Sequence, residues 1–193
     1  MSQTVQPAEV PSEVVDWVER VHDVVDGLVA PIVAGHGARL RCRAGCNVCC
    51  SDGLTVFALE AAVIARHHGE LLTNGTPHAD GGCAFLDETG ACRIYAHRPY
   101  VCRTQGLPLR WLEHDDEGPA EVRDICPLNA EGPALEELTA DECWTLGPFE
   151  ERLGARQAAL DAGAPEAGDE KPSTRVALRS LFAGGPRRLP VLR

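Results

Sequence analysis

Apolar residues near the start of the chain recur at helical spacing. Val14, Val15, Trp17, Val18, Val21, Val24, Val25 and Leu28 draw one wide face. Ser12 stands where an N-cap belongs, and Ala30-Pro31 with Gly35-His36-Gly37 is expected to end or bend the helix. Valine loses rotamer freedom in a helix, so this one must rest on tertiary packing and reads as a lid over the cysteine-bearing region. The next periodic stretch, TVFALEAAVIARHHG, turns Val56, Leu59, Val63 and Ile64 inward, with Gly69 as its stop. TNGTPHADGG is a loop by composition, and CAFLDETGACRIY alternates like two short strands around an Asp-Glu-Thr-Gly turn. Past Cys126 the chain turns acidic and helical: Thr139 with Glu142 fits a capping box, and PFEERLGARQAAL fits another helix. AGAPEAGDEKPS reads as a linker, TRVALRSLF as a short final helix and PRRLPVLR as a basic tail; the first ten residues read as loose.

These elements predict a mainly α fold, a small irregular helical domain with a short β-hairpin. Three segments are expected: an N-terminal helix packing on the core (1–38), a cysteine-bearing domain (39–130), and an acidic helical C-terminal extension with linker and basic tail (131–193). With 193 residues the chain can bury a real core, and with aromatics at 5% that core must be aliphatic.

Composition then narrows the chemistry. No apolar run approaches the roughly 20 residues that cross a bilayer, so no membrane contact is expected. The stretch MSQTVQPAEVPSEVVDW has neither a basic nor an apolar leader region, and the expectation is a cytoplasmic protein with reduced thiols. Nine cysteines in that setting point to metal or redox chemistry before a disulfide framework, and the odd number resists complete pairing. A net charge of −11 argues against nucleic acid as a partner. Between Arg39 and Arg110, however, eight arginines face six carboxylates. Either the acidic flanks simply keep the chain soluble, or these arginines offset thiolate charge.

The stretch RCRAGCNVCCSDG packs Cys42, Cys46, Cys49 and Cys50 into nine positions. Vicinal cysteines seldom reach disulfide geometry with each other, so either distant partners or a metal must hold them. Cys83, Cys92, Cys102 and Cys126 follow, while Cys143, in a helical stretch beside Trp144, reads as a buried small hydrophobe. Three chemistries compete. Cys46-Asn-Val-Cys49 is a C-x-x-C, but the βαβ setting of thiol–disulfide exchange is missing. Eight thiolates could close two tetrahedral zinc sites, although only the first half has the paired spacing of a zinc knuckle. An iron–sulfur or related iron site takes closely spaced thiolates plus distant ones, and Cys126-Pro127 is similar to the Cys-Pro ending of bacterial ferredoxin runs. The clustering favours a metal over any metal-free role.

Around Cys102 the residues RPYVCR carry more. Pro99 suits the first position of a helix, which would place Cys102 in its opening turns, where the dipole and free N–H groups favour a thiolate. Arg98 and Arg103 flank it and can donate charge-assisted hydrogen bonds to thiolate or sulfide sulfur; solvation or a carboxylate pair is the alternative for both. Tyr95 reads as a packed ring, His67 and His68 as a solvated helix end, and His78 and His97 as spare donors beside eight thiols.

The pattern C-x₃-C-x₂-C-C, a helix, and then CAFLDETGACRIYAHRPYVCR resembles the CxxCxxCC family of zinc- or iron-chelating proteins, often labelled YkgJ-type cysteine cluster proteins. Cys83, Phe85-Leu86, Gly90, Cys92, Ile94-Tyr95, Arg98-Pro99, Cys102 and Arg103 fall where that family's pattern places them, and the resemblance runs from Cys42 to Cys126. One spacing departs: Arg43-Ala44-Gly45 separates the first two cysteines by three residues where the family name implies two. A flagellin lysine methylase carries a similar domain, but no Gly-rich strand-to-helix turn that would cradle a nucleotide-like cofactor occurs here.

The expectation is therefore a fold organised around a cysteine-ligated metal centre. Its ligands would be Cys42, Cys46, Cys49, Cys50, Cys83, Cys92, Cys102 and Cys126, with Arg98 and Arg103 against the cofactor. An iron–sulfur cluster or iron with a redox or cofactor role leads. A zinc-stabilised interaction module with a protein partner is the alternative, and an enzyme of unknown substrate using the metal centre is the third. No Ser/His/Asp set, phosphate loop or carboxylate pair stands out to support the last.

Overall fold

The computed structural model describes residues 10–43, 45–115, 118–163 and 174–182. Of the stretches expected to be loose, linker or basic tail, residues 1–9, most of the linker and the whole tail lie outside them. The described chain is mainly helical with two small sheets. Helix α1 (Ser12–Gly35) is followed by strand β1 (Thr55–Phe57), helix α2 (Ala58–Asn74) and the short helix α3 (Tyr100–Thr104). A hairpin of β2 (Leu109–Asp115) and β3 (Gly118–Asp124), strand β4 (Trp144–Thr145), helix α4 (Pro148–Ala162) and strand β5 (Arg175–Ala177) complete the order. β2 pairs antiparallel with β3 and parallel with β4, while β1 pairs antiparallel with β5 through Val56 opposite Val176.

Helix α1 buries Val14, Val15, Val18, Val21, Val25, Val29 and Ile32, so the predicted stripe forms, but Val24 and Leu28 are half exposed on the opposite edge. The helix begins beyond Pro11, with Ser12 inside it rather than capping it, and it passes through Pro31. Burial of Ile32 and the hydrogen bond that His36 Nε2 donates to the Glu142 carbonyl (2.8 Å) hold the last turn despite the lost amide. Helix α2 starts three residues later than the periodicity suggested, because Thr55–Phe57 is drawn into a strand by β5. It then runs past Gly69, bending at His68 (φ −129°), and its buried Leu72 anchors the added turn.

Alternation along β1 divides the interior. Phe57 joins the cluster made by α1, Leu59, Val63, Tyr100, Trp144 and Leu153. Val56 joins a second cluster with Ile64, Phe85, Ile94, Leu178 and Phe182. Cys83 lies in this second cluster, with Cys50 and Cys92 packed against it. The segment expected to be a final helix is instead β5 followed by a 3₁₀ turn (Leu178–Leu181), which seats Leu178 and Phe182 beside Phe85. The hairpin expected at 83–95 shrinks to a single bridge, Leu86 with Cys92, around a tight turn in which Asp87 accepts from the Thr89 and Ala91 amides. The capping box is present, Thr139 N donating to Glu142 at 2.8 Å, although it closes a 3₁₀ turn. Among the described residues, no helix is long and apolar enough to cross a membrane.

Candidate metal centre

All nine cysteines are free thiols. The loop that carries four of them is built from two tight turns, Cys46 N bonding the Arg43 carbonyl and Cys50 N the Asn47 carbonyl, each at 2.9 Å. The loop is stitched to the 83–92 turn by Cys83 N bonding the Cys50 carbonyl at 2.8 Å. Gly90, at φ +81°, lets that turn lie against the Asn47 carboxamide, where a Cβ would collide. Short-range geometry thus delivers Cys50, Cys83 and Cys92 to one place. Cys102, the third residue of α3, comes to the same place because Glu60 on α2 accepts the Tyr100 amide at 2.7 Å.

Electrostatic coupling sorts the thiols into two adjoining groups. Cys42 feels Cys46, Cys49 and Cys126. Cys50 feels Cys49, Cys83 and Cys102, and Cys102 feels Cys83, Cys92 and Cys49. Cys49 therefore stands between the groups. Cys143 couples to Arg123 and Arg110 but to no cysteine, and is buried beside β4 as a small apolar residue, outside any helix.

The Cys50 thiol donates to Cys49 and holds it down to about 6, while sharing that proton pushes Cys50 far up. Burial raises Cys42, Cys83 and Cys92, and pushes Cys102 up to about 12. For Cys102 this runs against the expected thiolate stabilisation at a helix start. Pro99 is the cap, and the Cys102 amide is already used by the Pro99 carbonyl at 3.0 Å, so desolvation dominates.

The two predicted arginines are placed differently. Arg98 gives Nε to the Cys102 carbonyl (3.1 Å) and Nη1 to the Tyr95 carbonyl (3.0 Å), stacks on the Tyr95 ring, and its charge favours a thiolate at Cys92. Arg103 turns away: Nη1 pairs with Asp26 on α1, Nε with the Arg98 carbonyl and Nη2 with the Ala96 carbonyl. A buried guanidinium needs its donors filled, and these acceptors are a carboxylate and two backbone carbonyls rather than sulfur. The arginines whose charge does reach Cys83 are Arg93 and Arg179, which sequence reasoning missed. Arg179 arrives from the C-terminal segment, paired with Asp52 at 2.8 Å and bonded to the carbonyls of His78 and Gly82. No local signal pointed to it.

The histidines expected as a solvated helix end and a spare donor meet one another instead. His68 Nε2 lies 3.0 Å from His97 Nδ1, His67 stacks on His97 at 3.8 Å, and His67 pairs with Glu19 at 2.6 Å. Among the described residues, no group of three or more His, Cys, Asp or Glu side chains is drawn tightly enough to hold a metal ion. The donor set nevertheless suits a soft metal: the charge of Cys49 acts on Cys42, on Cys50 and on Cys102, so the thiols of the 42–50 loop lie within electrostatic reach of the later cysteines.

The class this defines is a cysteine-rich domain. Residues 41–127 match the model of the CxxCxxCC family, described as "Putative zinc- or iron-chelating domain". No curated protein and no solved structure matches the chain.

Proposed function

We propose that this protein holds an iron centre, of iron–sulfur or related type, through Cys42, Cys46, Cys49, Cys50, Cys83, Cys92, Cys102 and Cys126, in a redox or cofactor role. The observation that carries this reading is the mutual electrostatic reach of the thiols, Cys42 with Cys46, Cys49 and Cys126, and Cys102 with Cys49, Cys83 and Cys92. Adjoining all-sulfur sites suit centres that exchange electrons over short distances, and the thiolates supply the charge that such iron needs. Nine free thiols accord with a reducing, cytoplasmic setting. Fours of thiols also fit tetrahedral zinc, and that number favours a zinc-stabilised interaction module as the second reading. Metal and acid-labile sulfide analysis after anaerobic purification separates the two. Iron with sulfide is expected; colourless protein with stoichiometric zinc and no sulfide overturns the redox reading.

A further inference from the structure

Cys42 is the cysteine whose spacing departs from the family pattern, and its surroundings explain how it is still brought in. Asn129 is fully buried and lies two residues beyond the matched segment. Every part of it is engaged. Its backbone N–H donates to the Cys126 carbonyl at 2.7 Å, and its carbonyl accepts from Arg39 Nε at 3.0 Å. Its Oδ1 accepts from the Arg41 amide at 2.7 Å. Its Nδ2 donates to the Gly106 carbonyl at 2.7 Å and to Cys42 Sγ at 3.3 Å. One residue thus ties the segment entering the cysteine loop, the turn leaving α3 and the turn after Cys126. Gly106, at φ +96°, completes the arrangement, since a Cβ there would run into the Cys42 sulfur.

We propose that Asn129 is a positioning residue of the metal centre: it gathers Cys42 and Cys126 into one group and places an N–H on the Cys42 sulfur. The proposal rests on the reading of these cysteines as metal ligands. Such N–H···S bonds orient a thiolate and draw off part of its charge, so their loss alters both occupancy and the electronic character of the metal–sulfur bond. A merely structural Asn129 would brace the three segments with no particular effect on Cys42.

The test loads the full chain with Co²⁺ and reads the sulfur-to-cobalt charge-transfer absorption of wild type, Asn129→Ala, Cys42→Ser and the double variant. Asn129→Ala is expected to lose one thiolate's share of that absorption, as Cys42→Ser does, and the double variant to lose no more than either. Full wild-type absorption in a folded Asn129→Ala chain, or additive losses in the double variant, overturns the proposal alone. A wild-type chain with no thiolate absorption overturns the metal reading and this proposal with it. Should Asn129→Ala not fold, wild-type protein labelled with ¹⁵N-asparagine serves, because the chain has three asparagines, Asn47, Asn74 and Asn129. The Asn129 carboxamide protons are expected to exchange slowly and to shift when Zn²⁺ is added; a Zn²⁺-loaded chain in which they stay unmoved refutes the proposal.

Discussion

Replacing Glu60 with Ala should destabilise the fold at the point where helices and cysteines meet. Glu60 is 4% exposed, yet it is a carboxylate on an otherwise apolar face of α2. Its Oε1 accepts the Tyr100 amide at 2.7 Å and lies 3.3 Å from His22 Nε2 on α1, itself 2% exposed. Removing the carboxylate strands two buried groups, each worth about 1–3 kcal/mol when left without a partner. The sum, about 2–6 kcal/mol, brackets the roughly 3–5 kcal/mol that breaking a buried pair from one side costs. For a chain of this length each kcal/mol moves the melting temperature by about 2–4 °C, so a fall of about 4–24 °C is expected. Glu60→Gln keeps an oxygen for the Tyr100 amide and should recover at least half of the loss. Thermal melts by circular dichroism on metal-loaded protein, with urea titrations alongside, measure both variants. A Glu60→Ala chain within about 1 kcal/mol of wild type, or a Gln variant no better than Ala, would refute the argument that this carboxylate couples α1, α2 and α3.

Three further outcomes are expected. Cys49→Ser or Cys50→Ser should empty the site of metal, because a hydroxyl is a poor ligand for a soft centre, while Cys143→Ala should leave metal content unchanged; elemental analysis showing the reverse would break the ligand assignment. Arg98→Gln should lower the reduction potential of the loaded centre, since its charge acts on Cys92, whereas Arg103→Gln, paired to Asp26, should lose stability but keep the potential; potentiometric titration that moves for Arg103 and not for Arg98 would show the two roles exchanged. Desolvation, and then the charge of neighbouring imidazoles, holds His68 and His97 below the ordinary histidine value of 6.5, with Glu19 opposing and Arg103 reinforcing the effect at His97. A depressed histidine contributes stability that is complete above its unfolded value and is lost as pH falls from there through its lower folded value, so acid should loosen the α2 end below about pH 6.5 and less so in His97→Gln. Imidazole NMR titrations midpointed at or above the ordinary value would count against this.

What could be read along the chain was what neighbours in sequence decide. The valine stripe of α1, the inward set Val56, Leu59, Val63 and Ile64, the helix at 148–162 and the Thr139–Glu142 box all follow from spacing over one or two turns. So does the cysteine pattern, whose match to a family model depends on residue types at short intervals. The rest was settled by partners far away. Thr55–Phe57 reads as helix until Arg175–Ala177 arrives to pair with it, and the same segment then delivers Arg179 to Asp52. Pro31 stays helical because Ile32 and His36 are held by the core, and Arg103 faces α1 because Asp26 stands there. The electrostatic reach between Cys42 and Cys126, and the grip of Asn129 on Cys42 across 87 positions, have no local signature. A side chain's direction and its hydrogen-bond partner are chosen by whichever surface the fold brings against it, and that surface is a property of the packed chain as a whole.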